Sequence, residues 1–394
     1  MNTPKIFENT KTAFVLKSDA ELDRAIFIFR TIGRPWMVNI GTSLTMASLK
    51  LHLPVEGLIK KTIFNQFCGG TSTDECILTV KRMHTEDLYS ILDYSVEGKA
   101  TEKEFEATAA KKIELVELAA QNEELPFAVF KPTGIGRFAI WQKVSEREHL
   151  SPQEQQEWQR IRERVDRVCK AAHDHDVRLL VDGEESWMQD AADELVHEMM
   201  ERYNKEKAII YNTVQCYRWD RLAYIKNLHR IAKEKGFIVG AKIVRGAYME
   251  KENERAEEKG YKTPICESKQ ASDQMFNQVM AYIIQHIGDI HLFVGSHNEE
   301  SAYLAMDLMN EAKLAKNDDR IWFGQLYGMS EHMSYNLAQA GYNAAKLVPF
   351  GPVKDVIPYL IRRAQENTSV KGQTGRELSL LLKEKKRRKQ KKTQ

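Results

Sequence analysis

Eight short apolar stretches recur along the chain, at 90–95, 127–131, 178–182, 208–215, 238–245, 290–296, 321–326 and 344–348. Amphipathic helical patterns fall between most of them, as at 190–203, 221–235, 268–286 and 299–315. A short apolar run bounded by turn residues reads as a buried strand, and strands alternating with helices call for a parallel sheet. Eight is the number that closes a (β/α)8 barrel of the TIM type, and the span 89–375 suits the ~250 residues plus insertions of that architecture. The expected fold class is therefore α/β, a (β/α)8 barrel. A doubly wound sheet is the alternative, because a strand count read from sequence can miss by one or two.

What flanks this pattern differs from it. Residues 1–88 read as a helical arm or cap: Ser18-Asp19-Ala20-Glu21 offers a capping box before Leu22, Ala25, Ile26 and Phe29. A further apolar stretch runs through Trp36, Met37, Ile40 and Leu44 to Leu58, without chemistry beyond packing. At the other end, 376–394 reads as a disordered tail, since Lys383 to Lys392 carries eight Lys or Arg against Glu384 alone. Such a run is ordinarily solvated; a contact with an anionic membrane surface is the functional alternative, ahead of nucleic acid, which is not expected as a partner. The five cysteines are odd in number, widely spaced and match no zinc pattern, which suggests a reducing compartment. The first residues lack the apolar core of a signal peptide, and no apolar run approaches ~18 residues. A cytoplasmic protein is expected.

A barrel places its chemistry at the C-terminal strand ends. Those ends carry Asp93 and Tyr94, then Lys131, Asp182 with Glu184, Gln215, Lys242 with Arg245 and Tyr248, His297 with Asn298, and Gln325. Polar and charged groups at seven successive ends read as a pocket rather than as simple turns. Asp182 is suited to pair with Lys131 at the mouth. Lys242 and Arg245, ahead of Gly246 and Ala247, suit an electron-rich or phosphate-bearing ligand; the plainer reading pairs them with Glu250 or Glu252. The last helix begins at Pro352, is interrupted by Pro358, and aligns Tyr359, Arg362, Arg363 and Glu366 opposite its apolar residues 353, 356, 357, 360, 361 and 364. Two adjacent arginines can take a carboxylate bidentately, although such a face is more often merely solvated. Three motifs are set aside. Gly134-Ile135-Gly136-Arg137-Phe138-Ala139 fits a dinucleotide fingerprint but lacks a clear helix opening. His173-Asp174-His175-Asp176 sits away from the mouth, so no metal is expected. Asn367-Thr368-Ser369 matters only in a secreted chain.

Read together, the segments Leu92-Asp93-Tyr94-Ser95-Val96-Glu97, Leu180-Val181-Asp182-Gly183-Glu184, Tyr211-Asn212-Thr213-Val214-Gln215-Cys216-Tyr217, Lys242-Ile243-Val244-Arg245-Gly246-Ala247-Tyr248, Ser296-His297-Asn298-Glu299, Phe323-Gly324-Gln325-Leu326-Tyr327-Gly328-Met329 and Tyr359-Leu360-Ile361-Arg362-Arg363-Ala364-Gln365-Glu366-Asn367 resemble the monofunctional proline dehydrogenases over roughly 90–370. The resemblance implies a distorted TIM barrel that holds FAD non-covalently. By position, Gln215, Lys242, Arg245, Gly246 and Ala247, with Ser296, His297, Gln325 and Glu366, would contact the cofactor. Lys131, Asp182, Tyr248, Leu326, Tyr359, Arg362 and Arg363 would line the substrate, with Lys131 and the two arginines on its carboxylate. It further implies oxidation of L-proline to Δ1-pyrroline-5-carboxylate by hydride transfer to flavin N5, electrons passing to a membrane quinone. The following step would belong to a separate pyrroline-5-carboxylate dehydrogenase, and the enzyme could lie peripherally at the inner face of the membrane.

Two departures bear on this. Leu347 stands where many members carry a tyrosine near the substrate ring, which keeps 4-hydroxyproline as an alternative substrate. The basic pair reads Lys242 then Arg245, the reverse of the bifunctional branch, and the two cations are not equivalent. A flavin-free barrel lyase or aldolase using Lys131 as a Schiff-base amine is the alternative enzyme class.

Overall fold

The computed structural model describes residues 5–34, 36–38, 41–42, 56–95, 98, 100–369 and 373–393, the side chains at 58, 365–369, 373, 374 and 393 excepted. Ile40, Leu44, Val96 and Glu97, named above, lie outside the described residues, as does the side chain of Glu366.

The eight apolar stretches are eight strands: β1 (Tyr89–Tyr94), β2 (Phe127–Phe130), β3 (Arg178–Val181), β4 (Ile210–Gln215), β5 (Val239–Val244), β6 (Ile290–Gly295), β7 (Ile321–Leu326) and β8 (Ala344–Phe350). They form one sheet in the order β1-β8-β7-β6-β5-β4-β3-β2, and the described ladders are parallel. By contact density the chain divides into two compact units, one holding 98–324 and the other 4–97 with 325–394.

Within 98–324 the sheet curls. In a flat sheet β2 and β7 would stand five spacings of ~4.8 Å apart, about 24 Å. Instead the Phe127 ring of β2 lies 5.2 Å from Trp322 of β7, 5.2 Å from Phe293 of β6 and 5.7 Å from Tyr211 of β4, edge to face in each case. Only a sheet rolled toward closure brings those four rings together, so the expected barrel architecture holds. Arg178 of β3 lies over two of the rings and pairs with Asp319. The helices between strands start where side chains cap them: Thr101 with Glu104, and Ser151 with Glu154 ahead of Pro152, form reciprocal capping boxes.

In the second unit β1 and β8 pair in register, Ile91 opposite Leu347. Ser18 and Glu21 form the anticipated capping box for the helix Asp19–Ile32, which buries Leu22, Ala25, Ile26 and Phe29. They share a core with Phe64, Phe67, Val356, Ile357 and Leu360, and with Leu380 and Leu381. Each buried phenylalanine or leucine contributes roughly 1.5–3 kcal/mol by leaving water.

The last two of those residues overturn one expectation. The described part of the basic segment, 376–393, is not a disordered tail but lies in the helix Gln373–Thr393. Part of its charge is offset from the N-terminal helices: Arg376 and Lys383 pair with Glu8, Arg388 and Lys392 with Asp19, and Lys385 with Asp23. Thr10 donates to the buried carboxylate of Glu384, which Arg387 and Arg388 also grip.

Candidate functional site

In the 98–324 unit the polar strand ends are joined by one set of contacts. Lys242 of β5 donates to the carboxylate of Asp182, which follows β3, and the side chains are 11% and 14% exposed. The partner of Asp182 is thus Lys242; Lys131, expected there, is half-buried at the end of β2. Two residues past Lys131, the backbone N–H and hydroxyl of Thr133 donate to Glu184 at 2.9 and 2.6 Å. That clamp ties the loop after β2 to the loop after β3. Burial raises the Glu184 carboxyl to about 7 against the opposing pull of the Thr133 hydrogen bonds and the Lys131 charge. Gln215 is buried at the end of β4 and donates to the Glu184 carbonyl at 2.9 Å.

Arg245, just beyond β5, is held by three partners. Its Nε donates to Asp273 (2.6 Å), and its two terminal nitrogens donate to the hydroxyls of Ser296 (2.8 Å) and Ser301 (3.1 Å). The guanidinium also lies 4.5 Å over the Phe276 ring. Neither Lys242 nor Arg245 takes Glu250 or Glu252, the plainer reading. Ser296 in turn accepts the Asn298 N–H, and Asn298 caps the helix Glu299–Glu311, so the His297 turn is pinned on both sides. His297 itself is half-buried. Gly246 has φ +131°, and a Cβ there would lie 2.6 Å from the Tyr217 ring, so only glycine fits. Gly246 and Ala247 are exposed, and half-buried Tyr248 opens the helix Met249–Lys259.

The second unit holds the remaining positions. Gln325 is buried and its Oε1 accepts from the Ser334 hydroxyl at 2.7 Å. The carbonyl of half-buried Leu326 accepts from Lys346 of β8 at 3.2 Å, and Lys346 also donates to the Met329 carbonyl. This β7 loop is held from elsewhere too. Gln66 donates to the Gly328 carbonyl (2.8 Å), and Glu377 accepts the Ser330 N–H (3.1 Å). Gly328 has φ +77°, and a Cβ would sit 1.8 Å from the Gln66 carbonyl oxygen. Leu347 is half-buried on β8.

The helix Val353–Ser369 runs through Pro358, which is exposed, instead of ending there. Arg362 and Arg363 are half-buried, as an anion-binding pair requires. Tyr359, expected beside them, is instead buried in the apolar core, with the Arg363 guanidinium 5.3 Å over its ring. Position 359 is the i, i+3 neighbour of Val356 on a helix, so it borders the apolar stripe.

Sequence reasoning counted Glu184 among the polar strand ends without giving it a role, and left Thr133, Asp273 and Ser301 out of the site. Glu184 was detectable, two residues past a strand-end aspartate; Asp273 and Ser301 lie on helices whose patterns carry no such signal. Gly136 of the glycine pair is explained by packing: a Cβ there would strike Ile161 at 2.5 Å, and a helix does open at Phe138.

The strands and the groups that follow them define a (β/α)8 barrel with cations and fixed hydrogen-bond donors at successive strand ends. Residues 76–376 match the family model described as proline dehydrogenase. The chain is 34% identical over 331 residues to the carbapenem antibiotics biosynthesis protein CarD of Pectobacterium carotovorum subsp. carotovorum, covering 84% of this chain and 85% of that one. It is 30% identical to mitochondrial proline dehydrogenase 1 of Dictyostelium discoideum (98% and 76% covered) and 31% identical to hydroxyproline dehydrogenase of Xenopus laevis (95% and 88%). Among solved structures it resembles proline utilization A from Bdellovibrio bacteriovorus, at TM-score 0.69 and 22% identity, over 93% of this chain and 36% of that much longer one. The chain belongs to the proline dehydrogenase family of oxidoreductases.

Proposed function

We propose that the protein oxidises L-proline to Δ1-pyrroline-5-carboxylate with non-covalently bound FAD. The observation that carries this reading is the Arg245–Ser296–Ser301 and Lys242–Asp182 network: fixed donors and cations at successive strand ends, in the order in which the family holds its cofactor. The donor set fits the group. Arg245, Ser296 and Gln215 can serve a pyrophosphate and polar ring edges, and side-chain-free Gly246 permits close approach. His297, Gln325 and Glu366 complete the cofactor contacts by position. When bound, FAD accepts the hydride from the ring carbon next to nitrogen.

The chain's own work is orientation. Arg362, Arg363 and Lys131 hold the substrate carboxylate, each charge-assisted hydrogen bond contributing on the order of 1.5–3 kcal/mol. The same cations depress the pKa of the substrate amine, which must be neutral to push out hydride. Asp182 holds Lys242 in direction by their hydrogen bond, while Leu326, Tyr248 and Leu347 bound the ring. Tyr359 acts from beneath, by supporting Arg363.

A quinone is the acceptor we favour, and a separate dehydrogenase would take the product. The basic C-terminal helix no longer argues for a membrane contact, because several of its charges are matched by Glu8, Asp19 and Asp23. Among the described residues no helix is long and apolar enough to cross a membrane. The flavin-free lyase reading falls with the family assignment. Hydroxyproline remains the second reading on one feature, Leu347, and a hydroxyproline dehydrogenase is among the relatives. Purified protein should be yellow and bleach on adding proline; colourless protein that gains no activity with FAD would sink the reading. Turnover of L-proline against trans-4-hydroxy-L-proline decides the substrate.

A further inference from the structure

The segment Gly246–Tyr248 bridges a fixed strand end and a helix whose anchoring the mechanism does not use. Arg245 is tied down on one side, as above. On the other side, the helix Met249–Lys259 is strongly charged, MEKENERAEEK, yet its Glu252 is completely buried. A buried carboxylate needs strong partners. Glu252 has two: its oxygens accept the backbone N–H of Ser186 at 2.6 Å and the Ser186 hydroxyl at 2.5 Å.

Ser186 is the first residue of the helix Ser186–Tyr203, whose own N-cap residue, Glu185, makes no side-chain cap hydrogen bond. Glu252 therefore caps that helix from a different one and sets a carboxylate at the positive end of its dipole. Neighbouring contacts repeat the attachment. Lys251 pairs with Glu185 at 3.0 Å, and Arg255 pairs with Glu146 at 2.7 Å while lying 4.7 Å over the Trp187 ring. Residues 251, 252 and 255 thus fasten this helix to the start of the next element after β3, beyond the loop that carries Asp182 and Glu184.

We propose that Glu252 is the positioning residue for Tyr248: by capping the helix Ser186–Tyr203 it fixes the helix that Tyr248 opens, and so sets the ring of Tyr248 against the substrate. This rests on the reading of Tyr248 as a substrate contact. Asp182, held through Lys242, and Tyr248, held through Glu252, then move as one frame around the ligand. A loose helix would leave the cofactor contacts of Arg245 in place while blurring the substrate wall, so the effect belongs in KM.

The test uses the FAD-loaded full chain. Glu252→Ala should raise KM for proline about tenfold with kcat within about twofold, and should speed hydrogen exchange in peptides covering 183–190 and 246–259, with the strand β4 unaffected. Glu252→Gln keeps an acceptor for the Ser186 N–H and a group to meet its hydroxyl, so it should restore both readouts. Ser186→Ala removes one of the two contacts and should give a smaller change of the same kind, which keeps the test open if Glu252→Ala does not fold. Unchanged exchange and KM in Glu252→Ala and Ser186→Ala, beside a raised KM in Tyr248→Ala, would overturn the proposal alone. An unchanged KM in Tyr248→Ala would overturn the substrate assignment beneath it, and the proposal with it.

Discussion

Two lysines on barrel strands illustrate how environment, rather than residue type, divides labour. Lys242 of β5 is slightly exposed and meets one carboxylate, Asp182. Lys346 of β8 is fully buried; it donates to the carbonyls of Leu326 and Met329 and lies 3.7 Å from Glu331. An ammonium has three donors. Lys346 has spent its capacity on the chain and acts as a strut for the β7 loop. Lys242 keeps capacity for a ligand, with Asp182 fixing its direction. The same contrast runs through each neighbourhood: strand ends of the 98–324 unit brace one another, whereas the β7 loop is braced by Gln66 and Glu377, far away in sequence.

The largest effect expected follows from this contrast. Lys346→Met should cost about 3–5 kcal/mol in urea unfolding, since it leaves Glu331 and two carbonyls buried without their cation. Lys242→Met should cost less, about 1–3 kcal/mol, because water reaches Asp182, yet it should weaken FAD binding more. Equal stability losses with equal cofactor retention would erase the distinction.

Next comes a pH effect confined to the 98–324 unit. Glu184 has its carboxyl raised from 4.5 to about 7 by burial. The folded state therefore holds a proton that the unfolded state releases first. Its stabilising contribution is complete below about pH 4.5 and is lost as pH rises toward 7, by up to roughly 3 kcal/mol. Unfolding free energies of the wild type and Glu184→Gln should converge at low pH and separate as pH rises, the wild type falling. Parallel curves would mean that the Thr133 clamp holds an ionised carboxylate.

A third test addresses the helix Val353–Ser369. Arg362→Met or Arg363→Met should raise KM for proline about 10- to 100-fold, the equivalent of one lost charge-assisted hydrogen bond. Arg363→Met should also loosen Tyr359, over whose ring it lies, so its stability loss should exceed that of Arg362→Met. Unchanged KM in both would remove the carboxylate role.

Much of this was legible in the chain. Short apolar runs alternating with period-3.6 stretches placed the eight strands, and polar residues at their ends anticipated the contacts among strand ends of the 98–324 unit. What was not legible is pairing. Lys131 and Lys242 are both strand-end lysines level with Asp182, since the β2–β3 register carried one residue on puts Lys131 beside it too, and only side-chain packing selects Lys242. The basic run at the C-terminus looked solvated because its counter-charges, Glu8, Asp19 and Asp23, lie more than 350 residues earlier. Tyr359 was read onto the polar face because it stands one i, i+3 step from Val356, a border position that only packing assigns to the core.

The smallest effect is the most discriminating. Glu377 reaches the β7 loop from the C-terminal helix, accepting the Ser330 N–H while its carboxylate lies 3.7 Å from His332. Burial raises its carboxyl pKa, so the neutral form is within reach and an amide is a fair mimic. Glu377→Gln keeps the acceptor for Ser330 and should cost under about 1 kcal/mol, whereas Glu377→Ala strands a buried N–H and should cost about 1–3 kcal/mol. The sign with pH follows: any advantage of the amide over the wild type should grow as pH rises through the raised pKa and vanish in acid. If Glu377→Gln instead costs as much as Lys346→Met, the loop is held by charge rather than by hydrogen bonding. The strut would then be a Lys346–Glu377 couple, and the two lysines would differ only in how many carboxylates they serve.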